Sequence, residues 1–129
     1  MGYQDNPIRE VFADSDRITC IADVDLTGKR FVTIVPGGTD AQAPRVTTAT
    51  AGSRPFGVTQ CNKKAGEPIT IYRRGIVTVT TSAAIVGNAG VAVGANGTAV
   101  TVAAAPAVEH GVALANAANG ADAAVALSI

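Results

Sequence analysis

The chain has 129 residues, enough for one modest core but not for two independent ones. Ten Lys and Arg balance ten Asp and Glu, and this zero formal charge excludes the basic excess of a dedicated nucleic-acid binder. Trp is absent, with only three Phe and two Tyr, so neither a base-stacking platform nor an aromatic sugar-binding surface is expected.

In chain order, residues 1–13 read as an extended arm on a single body spanning 14–129. Pro7 blocks regular structure there, and Ile8, Val11 and Phe12 are spaced apolar anchors with no partner nearby in sequence. Such a segment is either a frayed terminus or a peptide that docks on a neighbour, and Pro7, Ile8, Arg9, Val11 and Phe12 are the residues that would dock. From Asp16 the pattern becomes β. Strands are expected at Arg17 to Ala22, Lys29 to Val35, Arg45 to Thr50, Phe56 to Gln60, Pro68 to Arg73 and Gly75 to Thr80. Pro36-Gly37-Gly38 and Lys63-Lys64-Ala65-Gly66-Glu67 are turns between them. Asn96-Gly97 between the alternating runs Val91 to Val93 and Val100 to Val102 predicts a type I′ hairpin, whose two central residues need φ > 0. The last strands are Gly111 to Ala115 and Ala123 to Ile129. Ala103 to Ala118 also admits a helix, since alanine is the best helix former, but Pro106, Gly111 and Asn116 interrupt it and no 3.6-residue stripe appears.

A second regularity overlies these elements. Gly57-Val58 returns as Gly111-Val112, 54 positions on, and Asn62 returns as Asn116, Gly66 as Gly120 and Ile71 as Val125. Val46-Thr47 returns as Val100-Thr101 and Val32 as Val86 in the same register. This predicts two pseudo-repeats, about 29–75 and 83–129, packed as one all-β barrel or sandwich of short strands.

Charge is distributed unevenly. Every Lys and Arg lies at or before Arg74, and beyond it only Glu109 and Asp122 carry a formal charge. A charge-poor tail either buries surface against a partner or presents a neutral surface of small residues. Lys63-Lys64 and Arg73-Arg74 form a candidate basic patch for an acidic protein partner.

The catalytic and cofactor signatures fail one by one. Gly28-Lys29 lacks the upstream glycine of a phosphate loop. Asp14/Asp16 and Asp23/Asp25 are fragments of a calcium loop that neither sequence continues. Cys20, Cys61 and the lone His110 are too few for a zinc site, and the two cysteines read by default as reduced, semi-apolar thiols in a strand setting, with an intrachain bridge open but unsupported by their spacing. Glu109-His110 lacks a nucleophile set by any motif, and Asn96-Gly97-Thr98 reads as a turn rather than a glycosylation site. No cofactor, metal or catalysis is expected. The first residues lack an apolar signal region, and no apolar run of about twenty residues spans a bilayer, so cytoplasmic synthesis without membrane association is expected.

The runs Asp16-Arg17-Ile18-Thr19-Cys20, Thr27-Gly28-Lys29-Arg30-Phe31-Val32, Phe56-Gly57-Val58, Ala65-Gly66-Glu67 and Tyr72-Arg73-Arg74-Gly75, with the closing Gly111-Val112-Ala113-Leu114, Asn119-Gly120-Ala121-Asp122 and Val125-Ala126-Leu127, resemble small capsid decoration (cement) proteins of tailed bacteriophages, those of actinobacteria above all. The resemblance covers nearly the whole chain, although turn glycines and strand valines are less specific than a catalytic signature. Some relatives carry a RecA-like label, which the missing phosphate loop does not support. The resemblance implies a non-enzymatic β-rich protein on the outer surface of the virion head. Its partners would be the major capsid protein and itself, as a homotrimer. A phage-associated module that binds a host-surface glycan is the alternative.

Overall fold

The structure, a computed structural model, describes residues 6–8, 16–102 and 108–129. Among these are ten strands: β1 (Arg17–Ala22), β2 (Phe31–Ile34), β3 (Arg45–Thr48), β4 (Gly57–Thr59), β5 (Pro68–Tyr72), β6 (Arg74–Thr80), β7 (Gly90–Val93), β8 (Ala99–Thr101), β9 (Gly111–Ala113) and β10 (Asp122–Ser128). Most fall where Val, Ile and Thr recur between turn residues, because a branched side chain packs well on a pleated surface, and β7, β9 and β10 use Val with Ala instead. The region open to helix carries β9 instead, with residues 103–107 outside the described part.

Strands β1 to β5 close into a barrel in the order β1-β3-β2-β4-β5. Strands β6 to β10 form a second sheet in the order β6-β10-β9-β7-β8. The two follow one pairing scheme. Numbered within its own set, the first strand pairs antiparallel with the fifth, the fifth with the fourth, the fourth with the second and the second with the third. The barrel closes by a parallel β1–β3 pairing, and the second sheet has one parallel bridge, Thr81↔Ala99, at the matching place. The loops correspond too. Asn62 Oδ1 accepts the Gly28 N–H at 2.8 Å, and Asn116 Oδ1 accepts the Gly87 N–H at 2.8 Å. The bridges Leu26↔Lys63 and Ile85↔Ala117 flank these bonds.

The gap-free register from Val32 onward does not survive. Gly57 and Gly111, and likewise Ile71 and Val125, do hold equivalent pairing positions 54 apart. Val32, however, pairs with Gly57 as Val91 pairs with Gly111, so its counterpart is Val91 rather than Val86. Val46 likewise corresponds to Ala99, not Val100, since the parallel contacts are Ala22↔Val46 and Thr81↔Ala99. The cause is loop length. The pair Ile34↔Val46 encloses residues 35–45, whereas Val93↔Ala99 encloses only 94–98, which shortens the second set by six residues. The paired units also begin earlier than expected, at β1 and at β6.

The barrel interior holds Cys20, Ala22, Leu26, Val32, Val46, Ile69 and Ile71. Phe31, Val58 and Tyr72 are ladder neighbours on the opposite side of their strands, so they point out of the barrel. There they join Val77, Val79, Val91, Val93 and Val125 of the second sheet in one core cluster. The barrel's outer row is therefore the second sheet's inner filling, and the two sheets share a core.

The β7–β8 hairpin fixes their relative position. Asn96 (φ 57°, ψ 34°) and Gly97 (φ 73°) take the left-handed conformation that the sequence pattern requires, and the Thr98 N–H donates to the Ala95 C=O at 3.2 Å. Gly94 adds one residue on the β7 side, so Val93 pairs with Ala99 across a bulge. The turn lies against β2: a Cβ on Gly97 would sit 2.5 Å from the Phe31 carbonyl oxygen. Arg30 Nη1 donates to the Asn96 carbonyl at 3.3 Å from the same side.

Candidate functional site

The residues proposed from sequence do not converge on one site. Ile8 is buried, 9% exposed, in the shared core cluster with Phe31, Val58 and Tyr72, and its N–H donates to the Gln60 C=O. Asn6 Nδ2 donates to the Gly28 carbonyl at 3.1 Å and to Asn62 Oδ1 at 3.2 Å, while Pro7 is exposed between them. Residues 6–8 are thus fastened to the barrel, and Ile8 is occupied by this chain's own core. Arg9, Val11 and Phe12 lie outside the described residues.

The two basic pairs stand apart. Lys63 and Lys64 lie on the turn entering β5, and Arg73 and Arg74 follow its last residue. A strand rises about 3.3 Å per residue, which puts the pairs roughly 20 Å apart at opposite ends of the barrel wall. Lys63 and Lys64 share a notch of about 320 Å³ with Asp25 and Glu67. Lys64 Nζ stands 4.0 Å from Asp25 Oδ2, and its backbone N–H donates to Glu67 Oε1 at 2.7 Å. Arg73 is a clamp: its Nε donates to the Phe56 carbonyl at 3.0 Å and its guanidinium lies 4.5 Å from the Phe56 ring centroid. Arg74 pairs with Asp16 at 3.7 Å, both exposed.

The acidic residues Asp16, Asp23 and Asp25 are absorbed in a similar way, and Asp14 lies outside the described residues. Asp23 faces Arg45 at 3.6 Å, and Asp25 accepts the Ala65 N–H at 2.9 Å. Among the described residues no group of three or more His, Cys, Asp or Glu is placed to hold a metal ion. Cys20 and Cys61 are buried thiols outside any disulfide, and burial pushes Cys20 up to about 11, against a smaller opposing effect of the Arg73 charge. Both sit in a strand or loop wall, and neither is exposed for chemistry.

The larger concavity, about 750 Å³, opens between the Gly52–Pro55 loop, the β7–β8 hairpin and His110, with Ser128 and Ile129 at its rim. The His110 backbone is held on both sides, its N–H donating to Val91 at 2.7 Å and its C=O accepting from Ser128 at 3.0 Å. Burial lowers the pKa of its imidazole, and the positive charge of Arg54 lowers it further. The Glu109 carboxylate lies against Gly90, and the Ser53 hydroxyl on the groove wall donates to the Thr50 C=O at 2.7 Å. That hydroxyl is committed to a backbone carbonyl rather than to the imidazole.

Charge divides the molecule in two. All described Lys and Arg belong to the barrel or its loops, except Arg73 in the connection to β6 and Arg74, the first residue of β6. On the second sheet Asp122 is matched by Lys29 from the barrel, Nζ to Oδ2 2.8 Å, and also accepts the Thr80 hydroxyl at 3.0 Å. Glu109 is then the one acid among the described residues of the second sheet without an ion-pair partner inside 4 Å. Among the described residues the second sheet and its loops carry only Arg74, Glu109 and Asp122 as formal charges.

Residues 13–129 match the family of phage cement proteins. The chain belongs to that family. It therefore stands among the structural proteins of a phage head. Among curated proteins no sequence matches. Among solved structures this cement protein is similar to the N base of head fiber gp8.5 from bacteriophage phi29. The identity is 17%, the TM-score 0.72, and the match covers 89% of this chain and 95% of that one. At such identity the likeness is one of fold. Among the described residues no helix is long and apolar enough to cross a membrane.

Sequence reasoning missed two features of the cement protein. The Lys29–Asp122 pair bridges positions 93 apart and leaves no local signal. The outer side of the second sheet carries an apolar row, Gly90, Val112, Ala126 and Ile76, beside the polar Thr78, Thr80 and Asp122, and here a signal existed: Gly90-Val91-Ala92-Val93 and Ala123-Ala124-Val125-Ala126-Leu127 do not alternate with polar residues.

Proposed function

We propose that this cement protein binds the outer surface of a phage head as a homotrimer and stabilises contacts between neighbouring major capsid proteins, without catalysis. The observation that carries this reading is the family match over residues 13–129, and the shared-core β body supports it. The capsid contact is assigned to the N-terminal segment. Asn6 to Ile8 anchor it on the barrel, and Arg9, Val11 and Phe12, just beyond the anchor, add backbone hydrogen bonds and apolar contacts on the capsid subunit. Lys63 with Lys64, and Arg73 with Arg74, contribute at most rim contacts to acidic groups, since each pair except Lys63 already has partners. Many copies then make a weak single contact effective. The protein is made in the host cytoplasm and resides on the virion.

Co-sedimentation with isolated heads tests the assignment. Val11→Asp with Phe12→Asp leaves the Ile8 anchor intact and is expected to abolish occupancy while the melting temperature stays within a few degrees. Full occupancy by the double variant refutes the role of the segment. Heads that lose DNA to heat or osmotic shock equally with and without the protein refute the stabilising function.

A further inference from the structure

The tripeptide Ala-Asn-Gly occurs twice, as Ala95-Asn96-Gly97 and as Ala118-Asn119-Gly120. Glycine after asparagine leaves the next amide nitrogen open to the asparagine side chain, because no Cβ shields it. That nitrogen can attack the asparagine Cγ and expel ammonia. Since the two copies share their sequence, a difference between them in this chemistry comes from the fold. The fold treats them oppositely. Asn96 and Gly97 form the tip of the β7–β8 hairpin, with Asn96 at φ 57° and ψ 34°. Ring closure needs the Cβ and the next nitrogen on the same side of the Cα–C bond, and at this ψ they stand nearly opposite each other. Rotation away from it is opposed from several sides. Gly97 is buried against the Phe31 backbone of β2. The Thr98 N–H and hydroxyl both donate to the Ala95 C=O, at 3.2 and 2.6 Å, and Arg30 Nη1 donates to the Asn96 carbonyl at 3.3 Å. Asn119 and Gly120, in the turn before β10, are both exposed. The Ala121 N–H closes that turn on the Ala118 C=O at 3.0 Å, and a Cβ on Gly120 would meet nothing within 4 Å. Thr81 grips the turn at its ends: its hydroxyl lies 2.9 Å from the C=O of both Ala118 and Ala121.

We propose that Asn119 is a site of spontaneous covalent modification, deamidation through a cyclic imide, and that docking of the hairpin on β2 protects Asn96 from the same reaction. The bond from the Gly120 nitrogen to the Asn119 Cγ forms and the Cγ–Nδ2 bond breaks. Nδ2 leaves as ammonia, taking the Gly120 amide proton. Water then opens the imide at either carbonyl. Opening at Cγ leaves aspartate. Opening at the backbone carbonyl leaves isoaspartate, which routes the chain through Cγ and lengthens it by one atom. Either product places a new carboxylate three residues before Asp122, in the stretch beyond Arg74 where only Glu109 and Asp122 are charged. Isoaspartate also stretches the backbone between the two carbonyls that Thr81 holds. Asp122, the next strand residue, is the partner of Lys29 on the barrel, so the altered turn adjoins a tie between the two sheets. The modification accumulates with the age of the protein and needs no partner. It goes beyond the capsid reading and does not depend on it.

Peptide mapping by mass spectrometry tests the proposal on purified protein kept for weeks in warm, mildly alkaline buffer, with the chain unfolded in urea as the reference. In the folded protein Asn119 is expected to convert about tenfold faster than Asn96 or more, since reaction at Asn96 waits for the hairpin to open locally. In urea the two are expected to convert at closely similar rates. Isoelectric focusing of the folded protein is expected to show acidic species growing with time, and Asn119→Gln, an exposed and conservative change, to suppress them. Comparable conversion of the two asparagines in the folded protein overturns the proposal, as does faster conversion at Asn96. Unequal rates in urea also overturn it, since sequence rather than fold would then set the difference. An Asn119→Gln protein that acidifies as fast as the wild type overturns the assignment of the site.

Discussion

Ile8→Ala separates an anchored N-terminal segment from one that is free to reach a partner. The side chain is 9% exposed within the shared core, and its removal to the β-carbon deletes about three methylene equivalents. At about 0.8 kcal/mol each, the transfer part is about 2.4 kcal/mol. A residual cavity would add to this, but Ile8 is the most exposed member of the cluster, and neighbours there can settle into the space. A total of about 2–3 kcal/mol, at the low end of the range for such truncations, is expected. The Ile8 N–H bond to Gln60 and the Asn6 bonds to Gly28 and Asn62 survive the substitution, so the loss isolates the apolar contact. Urea unfolding at 25 °C reads it directly: with a slope of about 2 kcal/mol per molar, the midpoint falls by about 1 M or more at unchanged slope. A fall under about 0.3 M would show that Ile8 contributes nothing to this chain's core, and the anchoring of residues 6–8 would have to be given up.

Two further outcomes follow from the same geometry. Gly97 and Gly120 both have positive φ, at 73° and 83°, but a Cβ at Gly120 meets nothing within 4 Å whereas one at Gly97 meets the Phe31 carbonyl oxygen at 2.5 Å. Gly120→Ala is therefore expected to cost about 1 kcal/mol and Gly97→Ala at least twice that, measured by thermal melting; equal losses would refute the docking of the hairpin on β2. Burial and Arg54 lower the pKa of His110, so near and below its usual value of 6.5 the unfolded chain binds more protons than the folded one. Its contribution is present above pH 6.5 and lost as pH falls below it toward the lowered folded value, so His110→Gln should flatten the decline in melting temperature between pH 7.5 and pH 5 as read in matched buffers, and an unchanged profile would contradict the burial.

Much of the strand pattern was legible because strands announce themselves locally. Arg17 to Ala22 and Gly75 to Thr80 alternate, Asn96-Gly97 supplies two residues that tolerate positive φ, and each signal sits within a few positions of the structure it makes. The recurrence of Gly57 as Gly111 and of Asn62 as Asn116 was legible for the same reason, since equal connection lengths keep equal spacing from β4 onward. The misplacement of Val32 came from a loop six residues shorter in the second set, which an ungapped comparison cannot absorb. The candidate patch of Lys63, Lys64, Arg73 and Arg74 failed on geometry: residues close in sequence across one strand are carried to opposite ends by its rise.

Side-chain period and turn chemistry determined, from the amino acids alone, that this protein is built of short strands, where each lies, and that its charge stops at Arg74. Tertiary structure decided what those strands enclose. Phe31, Val58 and Tyr72 face away from the barrel yet are buried, because a second sheet closes over them. Ile8 joins the same cluster from a segment that reads as extended and unattached. Burial is a property of what arrives from elsewhere in the chain, and a contact between Lys29 and Asp122, or between a hairpin turn and β2, is fixed only when distant segments pack.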